Sequence, residues 1–307
     1  MKQFEFNYLK YFSCIGGSCA HNCCIGWKIK VNKKAFDNYN ALKQIDKRFS
    51  SDCFDGKDFR LINGRCPFLE QDNLCYIIKN YGQKSLCKTC KTHPRFKSFF
   101  TGITETGLGL YCEQACKIIL SQKSKMKLVL IKDDKKKNNL SPLEKKIFSF
   151  RKKVIDIIQN RALTTEERLA KLQVLSNIQL NKKSFSDWIN VFCKLEKLPF
   201  NEFWFDTLRD DESFADTPIG FEKEFEQLLS YLAFRHLSRA IDSLDLRVRL
   251  GFVILSFMVI NHIFSKAKEQ TFTALVESCR FFSSTIECSD DNIFALLNTI
   301  EDLVSFI

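Results

Sequence analysis

The chain reads as a mainly α protein, with a cysteine-rich, loop-rich N-terminal region packed on an all-helical body. Two asymmetries predict this. Eleven of the 14 cysteines and nine of the 11 glycines precede residue 120, so that stretch is rich in turns and poor in sustained helical periodicity. Beyond it, apolar residues recur at helical spacing behind recognisable caps. The expected organisation is a cysteine-rich region over 1–120, a basic linker or hairpin over 121–140 and a helical domain over 141–307.

In the first region, short strands are expected over 27–31 and 59–62, and short helices over 33–48 and 77–81. A helical stub follows Cys116. Seven lysines stand against Asp133 and Asp134 over 123–137, and the centre of that run, 128–131, has edge-strand composition. Ser141 and Glu144, with Pro142 at the first helical position, form a capping box. The helix it opens carries Ile147, Phe150, Val154, Ile157 and Ile158 on one face. Thr164 and Glu167 repeat the signature ahead of Leu169, Leu172, Leu175 and Ile178. Five more helices are expected over 185–195, 221–241, 246–265, 271–285 and 290–306. The most apolar stretch, 250–260, is shorter than the roughly 20 residues a bilayer requires, so it reads as a core helix and no membrane association is expected.

The chain has 307 residues, and its 45% hydrophobic content can build a substantial core. Its net charge of +11 suits acidic partners of any kind. Beyond the lysine run nothing favours nucleic acid. The N-terminus, M-K-Q-F-E-F-N-Y-L-K, has no apolar stretch of secretory type, so reduced thiols and a cytoplasmic location are expected rather than seven disulfides.

The thiols carry the chemistry. Cys14, Cys19, Cys23 and Cys24 form the run C-x4-C-x3-C-C, followed by Cys66 in R-C-P-F-L, Cys75 in N-L-C, Cys87 and Cys90 in C-K-T-C, and Cys112 and Cys116 in Y-C-E-Q-A-C. Soft thiolates gathered this closely select zinc, copper(I) or iron–sulfur iron. One tetrahedral zinc needs only four ligands. A four-cysteine [4Fe–4S] cluster with extra thiols and a pair of metal centres both remain open. The ferredoxin spacing C-x2-C-x2-C-x3-C-P and the radical-enzyme spacing C-x3-C-x2-C are absent, as are G-x-G-x-x-G, P-loop, G-x-S-x-G and H-E-x-x-H motifs.

Taken together, F-S-C-I-G-G-S-C-A-H-N-C-C-I-G-W, R-C-P-F-L-x4-L-C, C-K-T-H-P-R-F and G-L-Y-C-E-Q-A resemble the flagellin lysine N-methylase family, part of a wider group with a zinc- or iron-chelating CxxCxxCC domain. The resemblance covers about residues 8–118. More loosely, 225–241 is similar to the family's Tyr/Phe-rich helix ending in an arginine, here Arg235. Cys288 in I-E-C-S stands where an E-H-S histidine is expected. The resemblance implies S-adenosylmethionine-dependent N-methylation of flagellin lysines by an enzyme carrying a 4Fe–4S cluster. It places the family cysteines at Cys14, Cys19, Cys23, Cys24, Cys66, Cys75, Cys90 and Cys112, with Cys53, Cys87 and Cys116 peculiar to this chain and Cys87 read as a core thiol. The rival reading is a non-catalytic zinc- or iron-chelating protein with a structural or metal-delivery role.

Other candidates are weaker. His93 offers a ligand or base and Arg95 a bidentate grip on a carboxylate or phosphate, against a plain loop fixed by Pro94. His21 offers a donor to a thiolate, and Trp27 a stacking face or a buried anchor. Glu105, Glu113, Tyr111 and Tyr81 are available as a base for an incoming lysine ammonium, with nothing to choose between them.

Overall fold

The structure, a computed structural model, describes residues 1–134, 139–196, 208–209 and 211–304. The tip of the lysine run and the last residues of the final expected helix lie outside these. The expectation of a mainly α fold needs correction: the architecture is mixed, with a four-stranded sheet built into the helical body. The strands are β1 (Lys2–Phe6), β2 (Phe54–Asp55), β3 (Asp58–Phe59), β4 (Arg95–Phe100), β5 (Ile103–Leu108) and β6 (Leu128–Lys132). The helices are α1 (Lys33–Leu42), α2 (Tyr76–Tyr81), α3 (Lys88–Thr92), α4 (Glu113–Leu120), α5 (Pro142–Ile158), α6 (Thr165–Ser176), α7 (Phe185–Cys193), α8 (Glu222–Leu237), α9 (Ser243–Ser265), α10 (Phe272–Phe282) and α11 (Asp290–Glu301).

The sheet order is β4-β5-β1-β6. β4 and β5 form an antiparallel hairpin turned at Thr101-Gly102, where Gly102 takes φ 72°. β1 runs parallel to β5, with Phe4 opposite Glu105, and antiparallel to β6. Of these four strands only β6 is expected from composition. The expected strand over 27–31 does not form: Ile29 and Val31 are extended but buried in an aromatic core instead of a ladder.

Two cores account for the packing. Ile29, Tyr39, Phe49, Phe54, Phe59, Phe68 and Ile77 cluster with Cys66 and Cys87, their rings meeting in tilted and stacked pairs at centroid distances such as 5.0 Å for Phe49–Phe68. Phe6, Tyr8, Leu108, Leu110 and Ile119 instead join the core of the helical body. The thiol-rich loops therefore have their own apolar centre, whereas β1, β5 and α4 are packed with the later helices.

Both expected capping boxes form. Glu144 N donates to Ser141 Oγ at 3.2 Å and Ser141 N to Glu144 Oε2 at 2.7 Å; Thr164 and Glu167 repeat this. Ser184 and Asp187 add a third ahead of α7. α9 is longer than its apolar centre suggests. By length and composition it could cross a bilayer, but 83% of its most apolar window is buried among the other helices.

Candidate functional site

All 14 cysteines are free. Short, tight elements position them. Cys75, Cys87 and Cys112 each stand at the residue preceding α2, α3 and α4, and Cys66 N donates to Cys24 O at 2.7 Å, tying the first cysteine run to R-C-P-F-L. Gly17 allows the first run to lie against the following loop, since a Cβ there would stand 2.8 Å from Asp72 O. Thiol contacts run from Cys23 to Cys24 and from Cys24 to Cys66, with Cys75 close enough to interact electrostatically with Cys24. Cys90 interacts with Cys24 and Cys66 in the same way and touches Cys87. Cys87 thus belongs among the gathered thiols, although the resemblance leaves it aside. Cys112 interacts with Cys23 and Cys14, and Cys19 with Cys112.

Electrostatics differ across this set. Burial pushes Cys75 and Cys112 above the ordinary thiol range and takes Cys19 up to about 12. Cys87 is the exception. The Cys90 thiol donating to it, helped against burial by the Cys90 and Thr89 backbone N–H groups at the start of α3, lowers it to about 6. Among the described residues no group of three or more His, Cys, Asp or Glu side chains is already arranged around a metal position. The set provides soft donors and pairwise contacts, and its chemistry suits a thiophilic metal.

From the first cysteine run a line of rings crosses to the helical body. Trp27 Nε1 donates to Cys23 O at 2.6 Å, and its ring stacks on His93 at 6.0 Å. His93 meets Tyr111 at 5.3 Å, and the Arg235 guanidinium lies 5.8 Å from the Tyr111 ring and 4.9 Å from Phe96. Glycines make room for it: a Cβ on Gly109 would fall 2.2 Å from the Tyr111 ring, and one on Gly107 2.5 Å from Phe96. Burial lowers His93 to about 4, so its ring is neutral.

The line ends in a buried ionic group. Arg235, near the end of α8, donates through Nε to Glu287 Oε1 at 2.9 Å. Glu287 closes a turn of π-helix, Ser283–Glu287, a local widening common at functional sites. It also accepts from Tyr231 Oη at 2.9 Å and from Ser283, and pairs with His236 Nε2 at 2.7 Å. Burial alone would raise the Glu287 carboxyl, but Arg235, His236 and Ser283 outweigh it and hold it at about 2. Arg235 Nη1 is buried without a hydrogen-bond partner.

Over 132 residues the chain is 30% identical to the flagellar biosynthetic protein FliU of Salmonella muenchen, a match covering 39% of this chain and 78% of FliU. The chain belongs to the FliU family. It is also 30% identical over 132 residues to the lysine-N-methylases of Salmonella choleraesuis and Salmonella typhimurium, and there the match spans 33% of the relative's length. No family model and no solved structure matches the chain.

In this FliU-family chain several sequence candidates lie elsewhere. Glu105 is buried in a bidentate pair with Arg151 of α5, at 2.6 and 2.7 Å. Tyr81 donates to Asp46 at 2.7 Å. His21 pairs with Glu277 at 2.8 Å, and Arg95 is exposed over the Phe12 ring. Glu113 accepts from Ala20 N, Lys117 and the Cys19 thiol, so it braces the first cysteine run against α4. Tyr111 alone among the four proposed bases sits on the ring line. The residue that sequence reasoning underrated is Glu287, a buried carboxylate set among serines and threonine in S-S-T-I-E, where no local pattern marks its burial.

Proposed function

We propose that the chain N-methylates lysine side chains on flagellin, with S-adenosylmethionine as donor and a 4Fe–4S cluster held by thiols drawn from Cys14, Cys19, Cys23, Cys24, Cys66, Cys75, Cys90 and Cys112. The observation that carries this reading is the kinship with proteins named FliU and lysine-N-methylase. The donor, when bound, supplies an electrophilic methyl group. The protein's own contribution lies at the junction of thiols, rings and ionic group. Trp27 offers an aromatic face to an incoming ammonium, and the neutral His93 stacked on it adds no opposing charge. Partial burial there favours the amine over the ammonium, as methyl acceptance requires.

Anaerobically purified protein, mixed with methyl-labelled S-adenosylmethionine and unmodified flagellin, should place label on lysine side chains. Protein that binds stoichiometric zinc, no iron and no sulfide, and that engages neither donor nor flagellin, overturns the reading in favour of a zinc scaffold.

A further inference from the structure

The one cation on the ring line has an unused donor. Arg235 Nε is committed to Glu287, and its guanidinium is braced by Phe96, Tyr111 and Tyr231 at 4.9 to 5.8 Å. Nη1 is buried and unpartnered. An orphaned N–H of a charged group is costly unless an acceptor arrives. Tyr231, Ser283 and His236 already surround Glu287, so Arg235 is held through Nε while Nη1 is left without an acceptor. The side chain retains 11% exposure, with half-buried Tyr111 and exposed Cys288 beside it.

Arginine matches a carboxylate in geometry and charge. We propose that Arg235 is the carboxylate anchor of this site, taking an α-carboxylate of amino-acid type on its free Nη1 edge. This rests on the methylase reading, in which the carboxylate is that of the donor's methionine end. Glu287 then acts as a positioning residue, fixing the guanidinium through Nε so that the unpartnered Nη1 is held in one orientation.

Calorimetric titration of the anaerobic holoprotein with S-adenosylhomocysteine and with its decarboxylated analogue tests the assignment. Wild-type protein should bind the decarboxylated compound at least tenfold more weakly. Arg235→Lys should weaken S-adenosylhomocysteine by a similar factor while leaving the analogue nearly unchanged. Equal affinity of wild-type protein for the two compounds overturns the anchor and leaves the methylase reading standing. Binding of neither compound removes both. Should Arg235→Lys lose its near-ultraviolet circular dichroism, the two-ligand comparison on wild-type protein decides alone.

Discussion

Arg235 and Glu287, 52 positions apart in the chain, meet Nε to Oε1 at 2.9 Å and thereby fasten α8 to the π-helical turn ahead of α11. Glu287→Ala leaves Arg235 charged and buried without its counter-ion and removes the acceptor for Tyr231 and His236. Loss of one member of such a pair costs roughly 3–5 kcal/mol. Urea unfolding should register a loss of that order, and an unchanged midpoint refutes the structural role of the pair.

Acid should destabilise the fold through the same group. Glu287 titrates near 2 in the fold against 4.5 when free, so its contribution is complete above about 4.5 and disappears as pH falls toward 2. The difference amounts to roughly 3 kcal/mol. Burial holds His236 below its ordinary 6.5 despite Glu287, so the unfolded chain takes that proton first and stability begins to fall near 6.5. Urea midpoints measured from pH 7 down to pH 3 should decrease throughout. Glu287→Gln should flatten the lower part of the curve, and a wild-type curve without an acid slope contradicts the assignment.

Gly109→Ala should disturb the ring line without touching a thiol. Its new Cβ overlaps the Tyr111 ring, which is held between His93 and Arg235 and has little room to retreat. A Trp27 fluorescence change together with a loss of about 1–3 kcal/mol is expected; a variant indistinguishable from wild type would mean the line is loosely packed.

Chelation should act on a restricted part of the chain. The loops carrying Cys14 to Cys90 depend on a small aromatic core, whereas β1, β5 and α4 share the large core of the helical body. Hydrogen exchange after metal removal should lose protection chiefly over 13–93 and spare 2–8 and 103–120. Uniform loss across the chain contradicts the proposed metal dependence of these loops.

Ligand and bystander cysteines should separate spectroscopically. Cys24→Ser removes a thiol touching both Cys23 and Cys66 and should abolish iron and sulfide binding. Cys53→Ser and Cys193→Ser should retain both. Cys279 is buried against Cys116 between α4 and α10, and among the described residues Cys116 is the one thiol it meets there, so Cys279→Ser should also retain them. Equal loss in all four variants would assign the thiols to folding.

What the sequence revealed follows the range of the interactions. Ser141, Glu144, Thr164 and Glu167 satisfy backbone groups three residues away, so the helices they open are legible from local pattern. The sheet is not. β5 buries Thr104, Glu105, Thr106 and Gly107, a polar set that shows no apolar alternation, and Glu105 is neutralised by Arg151 from a distant helix. The thiols could be counted in advance, but the approach of Cys90 to Cys24 and Cys66, and the pairing of Cys116 with Cys279, depend on tertiary structure. Arg235 and Glu287 lie in two loosely similar segments 52 residues apart, and their meeting is a property of the fold.

The parallel pairing of β1 with β5 sets the timing of biosynthesis. Phe4 emerges from the ribosome about a hundred residues before its partner Glu105, which at about 5–20 residues per second means a wait of some 5–20 s. During that interval β1 has two unsatisfied edges, and the aromatic core of the thiol-rich loops can close first. The central strand of the sheet is made first and seated late.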